Sequence, residues 1–142
     1  MKYLLDTDHI SLMQRQSGRE YRVLAARIAQ YSPADLALSI ISFHEQVLGA
    51  HTFVSQARTT VDVIRGYTLL LEIIQGFAAA PVLPFDAAAA AVYDDVRARG
   101  VRVATMDLRI AAVALSRGLV LLTRNIRDFG RVPGLATEDW TV

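Results

Sequence analysis

The chain has no cysteine, a single lysine and no long apolar run. The absence of cysteine excludes disulfide bonds and thiolate metal sites. Although 53% of the residues are hydrophobic, polar residues or glycine interrupt the apolar stretches, and none reaches the roughly 18 residues that a membrane-spanning helix needs. A length of 142 residues suits one domain with a substantial core. We therefore expect a single soluble domain over residues 1–142.

Signals for secretion and for a nucleic-acid partner are also missing. The N-terminus lacks the basic leader, apolar segment and cleavage site of a secretory signal, so we expect a cytoplasmic protein without membrane attachment. The net charge of +1 is too small to indicate nucleic-acid binding by itself. Lys2 is the only lysine, and the other Lys/Arg residues are all arginine. Arginine suits bidentate contacts with phosphate, but its abundance also fits a general preference for arginine and alanine in the sequence.

Several catalytic motifs are absent as well. No Gly-x-x-x-x-Gly-Lys sequence is present to hold a nucleotide, and no serine lies in a Gly-x-Ser-x-Gly context. His9, His44 and His51 lack the spacing of a zinc ligand set, and we expect them at the surface or at helix caps. Zinc chemistry and serine-nucleophile chemistry are therefore excluded.

Short apolar runs bounded by turn-forming residues predict strands at 2–5, 36–40 and 119–122, with short extended pieces at 82–83 and 135–137. Apolar positions at helical spacing predict the intervening helices, which we expect to begin at His9, Tyr21, Ser42, Thr60, Ala87 and Leu108. Strands that are apolar throughout and separated by helices indicate a parallel sheet covered on both faces. The expected fold class is therefore α/β.

Four carboxylates follow an apolar strand or lie in the first turn of a helix: Asp6, Glu45, Asp107 and Asp128. In parallel sheets, ligands bind at the edge where the carboxyl ends of the strands meet. Residues far apart in the sequence can therefore share one cleft at that edge.

Three of these acids, together with Asp8, also have a local structural explanation in helix capping. Glu45 fits a capping box that starts at Ser42, and Asp107 fits the N-cap of the helix that follows it. Asp128 lies at cap-like spacing after Asn125, and Asp8 fits the N-cap of a helix from His9. Taken singly, these positions favour capping.

Asp6 has no comparable local explanation. A carboxylate beside a buried apolar run is destabilising by several kcal/mol unless it is paired, and Lys2 belongs at the far end of the same strand. If several carboxylates converge there, a divalent cation is needed to offset their repulsion. Oxygen ligands favour Mg²⁺ or Mn²⁺, which typically act on phosphate esters. Phosphodiester hydrolysis is the expected chemistry.

The segments LLDTDHIS, SIISFHEQVLGA, ATMDLRIAAVAL and LLTRNIRDFGRVPGLATEDW together resemble the PIN-domain ribonucleases, and among them the VapC-like toxins of bacterial toxin–antitoxin pairs. The resemblance covers nearly the whole chain and keeps the order of the motifs. It implies a three-layer α/β/α fold with a central parallel sheet of four to five short strands. It also implies an Mg²⁺- or Mn²⁺-dependent endoribonuclease that acts on RNA and is inhibited by a small cognate antitoxin.

Carried over position by position, the resemblance assigns Asp6, Glu45 and Asp107 as metal ligands. Asp128 or Asn125 fills the fourth position, with the hydroxyl of Thr123 behind it, and we prefer Asp128 for its charge. The chain departs from the family pattern at Gln46, which follows Glu45 where relatives have a small apolar residue or leucine. It also departs at Asp8, where relatives often carry asparagine. We expect Asp8 to cap a helix and to modify the local electric field.

Arginines near these motifs are candidates for binding the flanking phosphates of RNA: Arg109, Arg124 and Arg127. Surface salt bridges are the alternative explanation for them. The helices between Arg19 and Ala78 carry more apolar positions than one buried face needs. This excess indicates a homodimer or an antitoxin contact, and an unusually well-buried helix pair is the alternative.

Two other functions are compatible with parts of the sequence. The run Asp6-Thr7-Asp8 after an apolar strand also matches haloacid dehalogenase-type phosphatases, but these need a later lysine and the chain has none after Lys2. A non-catalytic PIN-like module that binds another protein would use the acids only as helix caps. Specific binding of Mg²⁺ or Mn²⁺ distinguishes the nuclease from that module.

Overall fold

The computed structural model describes residues 1–142. Its strands are β1 (Tyr3–Leu5), β2 (Leu36–Ser39), β3 (Val82–Leu83), β4 (Val120–Leu122) and β5 (Thr137–Glu138). Its helices are α1 (Thr7–Arg15), α2 (Arg19–Ile28), α3 (Ile40–Gln56), α4 (Thr60–Ala78), α5 (Ala87–Ala98), α6 (Thr105–Ser116) and α7 (Ile126–Phe129), and a 3₁₀ turn spans Pro33–Asp35. No helix combines the length and the apolar character needed to cross a membrane.

The five strands form one parallel sheet in the order β3-β2-β1-β4-β5. The first strand of the sequence is therefore the central strand, and Tyr3 lies beside Leu36 on one side and Val120 on the other. This arrangement confirms the predicted parallel sheet of four to five short strands. The edge strand expected at 135–137 is instead Thr137–Glu138, because those residues pair with the end of β4.

Alternate side chains of the central strands point to opposite faces of the sheet, as the period of a β-strand requires. Leu4 and Leu121 are fully buried against α5 and α6, in a cluster that includes Val96, Ile110 and Val113. Leu5 and Leu122 face the other way, into a cluster built from α1, α2, α3 and α4. The sheet is thus covered on both faces, which confirms the three-layer α/β/α fold.

The start of α1 differs from the prediction, because its N-cap is Asp6 and not Asp8. Asp6 has the extended backbone of a cap residue (φ −69°, ψ 160°), and its Oδ1 accepts a hydrogen bond from the Thr7 amide. The helix begins as soon as the chain leaves β1, so the cap falls on the first polar residue after the strand. Asp8 lies in the first helical turn, which leaves its carboxylate free for contacts outside the helix.

The starts of α3 and α6 also differ from the prediction. Ser39 caps α3 by accepting a hydrogen bond from the Ser42 amide at 3.1 Å, so the expected capping box between Ser42 and Glu45 does not form. Helix α6 begins at Thr105 after a cap residue, Ala104, that has no side-chain hydrogen bond. Asp107 therefore lies inside the first turn and is not the N-cap. Neither Glu45 nor Asp107 is explained by capping.

Candidate functional site

The centre of the candidate site is the carboxylate of Asp6, directly after the central strand. The side chain is 6% exposed. Thr123, which follows the neighbouring strand β4, donates a hydrogen bond from Oγ1 to Asp6 Oδ2 at 2.8 Å. The Thr7 amide donates to the other oxygen, Oδ1, at 2.8 Å. Two neighbouring segments at the carboxyl edge of the sheet therefore hold Asp6 in one orientation.

The electrostatic surroundings of Asp6 disfavour its charged form. The pKa of this carboxyl is raised to about 7, chiefly by burial and next by the nearby charge of Asp8, although the hydrogen bonds from Thr123 and Thr7 act to lower it. The charge of Asp107 adds a smaller upward effect. Asp6 takes part in none of the ion pairs of the structure. A cation placed beside it would therefore be bound favourably.

A chain of hydroxyl groups connects Glu45 on α3 to the start of α1. Thr7 Oγ1 lies 2.9 Å from Glu45 Oε1 and 2.9 Å from Ser42 Oγ. Because a hydroxyl has one proton and a carboxylate only accepts, Thr7 donates to Glu45 and accepts from Ser42. Sequence reasoning did not identify Thr7 as part of the site, although its position between Asp6 and Asp8 was a signal. The effect is to direct the Glu45 carboxylate towards the region of Asp6.

Asp107 belongs to the same electrostatic environment. Burial raises the pKa of its carboxyl, and the charges of Glu45, Asp128 and Asp8 raise it further. The charge of Asp107 also raises the pKa of Asp6. The structure thus places the four predicted acids around one region at the carboxyl edge of the sheet.

The two candidates for the fourth position, Asn125 and Asp128, contact each other. Asn125 caps the short helix α7 by accepting from the Asp128 amide, and its Nδ2 donates to Asp128 Oδ2 at 3.1 Å. The backbone N–H of Asn125 in turn donates a hydrogen bond to Thr123 Oγ1 at 3.0 Å. The predicted cap spacing is confirmed, and the same asparagine holds the Asp128 carboxylate. Arg131 Nη1 lies 3.6 Å from the other carboxylate oxygen.

Asp8 and His9 form a second layer of contacts behind the site. Asp8 Oδ1 lies 2.7 Å from His9 Nδ1, and Asp8 Oδ2 accepts a hydrogen bond from the Arg124 amide at 2.9 Å. The expectation that all three histidines lie at the surface or at caps is wrong for His9, which is completely buried. It is confirmed for His44 and His51, which are exposed on α3.

The three arginines predicted to bind phosphate lie on two elements of the site. Arg109 is half-buried on α6, with Nη1 3.5 Å from Met106 Sδ, while Arg124 and Arg127 are exposed near α7. None of them takes part in an ion pair, so the salt-bridge alternative does not account for them. Their guanidinium groups are available to an anionic ligand.

The residues present fit a hard divalent cation in the chemistry of their donor atoms. Every candidate ligand offers carboxylate oxygen, and the buried Asp6 carboxylate lacks a cationic partner. No three His, Cys, Asp or Glu side chains are close enough together to enclose an ion in this conformation. Binding of one cation by three carboxylates therefore requires some of these side chains to change rotamer. Glu45 and Asp107 can do so most easily because they are only half-buried.

Curated relatives cover nearly the whole chain. The tRNA(fMet)-specific endonuclease VapC of Salmonella typhimurium is 30% identical over 144 residues, which is 99% of this chain and 98% of the relative. Ribonuclease VapC1 of Haemophilus influenzae strain R2866 is 32% identical over 146 residues, which is 99% of both chains.

Solved structures give the same match in three dimensions. A DNA-bound VapBC from Salmonella typhimurium has a TM-score of 0.75 at 28% identity, covering 99% of this chain and 98% of that one. VapBC-1 of nontypeable Haemophilus influenzae has a TM-score of 0.70 at 30% identity over the full length of both chains. VapBC-5 of Mycobacterium tuberculosis, a member of the VapBC family of toxin–antitoxin systems, has a TM-score of 0.57 at 25% identity, with 97% and 96% covered.

The sequence pattern of the PIN domain matches residues 3–135, a span that runs from β1 through α7 and contains Asp6, Glu45, Asp107 and Asp128. Because this match extends over most of the chain and agrees with the fold and with the curated relatives, the chain belongs to the PIN domain family.

Proposed function

We propose that the protein is a metal-dependent endoribonuclease and the toxin of a toxin–antitoxin pair. The observation that carries this proposal is the buried carboxylate of Asp6, which lies among Glu45, Asp107 and Asp128 without a basic partner. The names of the curated relatives, endonuclease and ribonuclease VapC, supply the substrate class. The site belongs to a PIN domain and not to a haloacid dehalogenase, so the phosphatase alternative is dropped.

We assign Mg²⁺ or Mn²⁺ to Asp6, Glu45 and Asp107. When bound, such an ion lowers the pKa of a water molecule and stabilises negative charge on the phosphate that is attacked. Asp6 is held for this role by Thr123 and by the Thr7 amide, and Glu45 is held by the Thr7 hydroxyl. Asp6 is therefore already oriented when the cation arrives, and changes of rotamer at Glu45 and Asp107 complete the set of ligands.

The remaining site residues orient the substrate and the attacking water. Asn125 fixes one oxygen of Asp128, which directs the carboxylate so that it can accept a hydrogen bond from water. Arg109, Arg124 and Arg127 bind the phosphates on either side of the cleaved bond, since none is engaged in an ion pair. Phosphate contacts of this kind position RNA without reading its sequence.

RNA cleavage by purified variants tests the proposal. Wild type is expected to cut a labelled RNA with Mg²⁺ or Mn²⁺ and to lose that activity in EDTA. Asp6→Asn and Asp107→Asn are expected to be inactive, whereas Asp94→Asn, which alters an exposed acid on α5, keeps full activity. Cleavage by Asp6→Asn prepared in a host free of the wild-type gene would refute the assignment. Direct Mn²⁺ titration of wild type and Asp107→Ala separates a nuclease from a binding module, which would show no specific site.

The antitoxin is the proposed protein partner, because the similar solved structures include toxin–antitoxin complexes. An apolar groove of about 540 Å³ runs between α1, α2 and the end of α4, lined by side chains such as Met13, Ile28 and Ala79. A second cavity of about 450 Å³ shares Met13 and Ala79 and extends the groove along α1. We place an apolar segment of the antitoxin here. Ala79→Glu is expected to leave RNA cleavage intact and to abolish inhibition by the antitoxin.

A homodimer is proposed from the surface formed by the second half of α3 and by α4. This surface exposes the large apolar side chains Leu48, Phe53, Val61, Ile64, Tyr67, Leu71 and Ile74. Contiguous exposed apolar side chains of this kind mark protein contacts. We propose that a second copy of the chain covers them, that residues 1–142 act as one domain, and that the protein acts in the cytoplasm, where its RNA substrate is found.

A further inference from the structure

The buried histidine of α1 makes two hydrogen bonds that connect distant parts of the chain. His9 is 0% exposed, and its ring lies between Asp8 and the backbone of Trp140. The Trp140 amide donates to His9 Nε2 at 3.2 Å. Because Nε2 accepts, the proton of the imidazole is on Nδ1, which donates to Asp8 Oδ1 at 2.7 Å. His9 therefore connects the backbone of Trp140 to the carboxylate of Asp8 through its two ring nitrogens.

The other acid near this ring does not compete for it. Asp139 Oδ1 lies 3.9 Å from His9 Nε2, beyond hydrogen-bonding distance. The same oxygen already accepts from the amide and from the hydroxyl of Thr141, at 2.9 Å and 2.6 Å. The Trp140 amide is thus the partner of Nε2.

The backbone at Trp140 is held in place by the packing of its indole ring. The indole ring is fully buried and packs against Tyr3 and Tyr31, with centroid distances of 4.7 Å and 4.9 Å. The guanidinium of Arg27 lies 4.8 Å from the ring centroid, and the indole Nε1 donates to Glu138 at 2.7 Å. These contacts hold the C-terminal segment in place on the sheet.

The carboxylate of Asp8 in turn contacts the backbone of the turn after β4. Its second oxygen accepts from the Arg124 amide at 2.9 Å and lies 3.4 Å from Thr123 Oγ1. That turn carries Thr123, which donates to Asp6, and Asn125, which holds Asp128. A continuous series of contacts thus runs from the C-terminal backbone through His9 and Asp8 to the candidate site.

We propose that His9 is a positioning residue of the nuclease, which fixes the Asp8 carboxylate and, through it, the turn at residues 123–125. The inference rests on the proposed nuclease function. His9 does not touch the substrate, and its contribution is the fixed direction of one hydrogen bond to Asp8. Outer contacts of this kind typically change activity or metal affinity by about 10- to 100-fold.

Two matched substitutions separate the two hydrogen bonds of the ring. The amide nitrogen of asparagine reaches the position of Nδ1, so His9→Asn keeps the donor to Asp8 and loses the contact with Trp140. The amide oxygen of glutamine reaches the position of Nε2, so His9→Gln keeps the contact with Trp140 and loses the donor to Asp8. Asparagine is one methylene shorter than glutamine and leaves the larger gap in the core, so loss of packing alone would make His9→Asn the more damaged variant.

We expect His9→Gln to lower kcat for RNA cleavage by about 10- to 100-fold with KM nearly unchanged, whereas His9→Asn stays close to wild type. Asp8→Asn is expected to lower kcat similarly, and adding His9→Gln to it should cause no further loss. Equal effects of the two His9 variants, or additive losses in the double variant, would overturn the proposal. If His9→Gln fails to fold, the kcat of Asp8→Asn decides, since that substitution alters a partly exposed side chain.

A second readout does not depend on cleavage. In ¹H–¹⁵N spectra of the metal-free protein, the Arg124 amide resonance should move in His9→Gln and keep its position in His9→Asn. An unmoved Arg124 resonance in both variants refutes the proposed link. Absence of cleavage by wild type, combined with the expected shift of this resonance, would refute the proposed function while leaving the positioning role of His9 intact.

Discussion

The substitution Asp6→Asn exchanges the buried carboxylate for a neutral amide of nearly the same shape, and its effect on stability can be worked out from the structure. An aspartate in an unfolded chain has a pKa of about 3.9, whereas burial and the charge of Asp8 raise the pKa of Asp6 to about 7 in the folded protein. The folded state therefore holds its proton over a pH range in which the unfolded state has lost it. Stability contributed by protonated Asp6 is fully present below about pH 4 and is lost as the pH rises towards 7.

The difference between these pKa values corresponds to about 4 kcal/mol of lost stability at pH 7 in the metal-free protein. Asparagine avoids this loss because it carries no charge. It also has only one oxygen to accept the hydrogen bonds that Thr7 and Thr123 donate to Asp6, which costs about 1 to 2 kcal/mol. The expected net effect is a stabilisation of about 2 to 3 kcal/mol at pH 7 and a destabilisation of about 1 kcal/mol near pH 4, where the lost hydrogen bond is barely offset.

Urea unfolding of wild type and Asp6→Asn in EDTA, at intervals from pH 4 to pH 8, measures this crossover. Asp107, whose pKa is also raised, is present in both proteins, so the difference between them isolates Asp6. A free-energy difference that stays constant across the pH range would refute the reasoning. Added Mg²⁺ should then stabilise wild type but not the variant, because only wild type keeps the full set of carboxylate ligands.

Three further changes probe other parts of the site and of the surface. Thr7→Val removes the hydroxyl that donates to Glu45 and should reduce cleavage about 10-fold or more, whereas Thr7→Ser keeps the hydroxyl and should keep the activity. Equal activity of the two variants in a cleavage assay would contradict the role of the hydroxyl. Arg124→Ala should weaken RNA binding and reduce the slope of log affinity against log salt by about 1, whereas an unchanged slope in filter binding would remove Arg124 from the phosphate contacts. Ile64→Glu, at a side chain that is 61% exposed, should convert a dimer into a monomer in sedimentation experiments without loss of folding, and an unchanged sedimentation coefficient would rule out this surface as the interface.

The fold was predictable because its signals are local. Each of the three inner strands is a short apolar run that ends at or just before a polar residue, so the position of Asp6 after β1 followed from the sequence alone. The cap residues were predicted less well because residues able to cap recur at close spacing around the helix starts. Asp6 and Asp8 lie near the start of α1, and Ser39 and Ser42 lie near the start of α3. The residue at which a strand ends, and hence the cap of the helix that follows, depends on how the strand pairs with its neighbours. That pairing register cannot be read from the sequence.

The contacts behind the site could not be predicted, since they join segments that are far apart in the sequence. The partner of His9 is the amide of Trp140, 131 positions later, and the partner of Asp6 is the hydroxyl of Thr123, 117 positions later. A buried histidine and an exposed one look the same in a single sequence. The burial of His9 depends on the way the C-terminal segment returns to the sheet.

The parallel sheet places the first strand of the chain at its centre, where it pairs with a strand made from residues 120–122. The carboxylate of Asp6 thus meets its partner, Thr123, only after the 117 residues that follow it have been synthesised. A nascent chain that ends before Thr123 contains Asp6, Glu45 and Asp107 but has no assembled centre. For the proposed ribonuclease, this order of assembly delays cleavage of RNA until residue 123 has been translated.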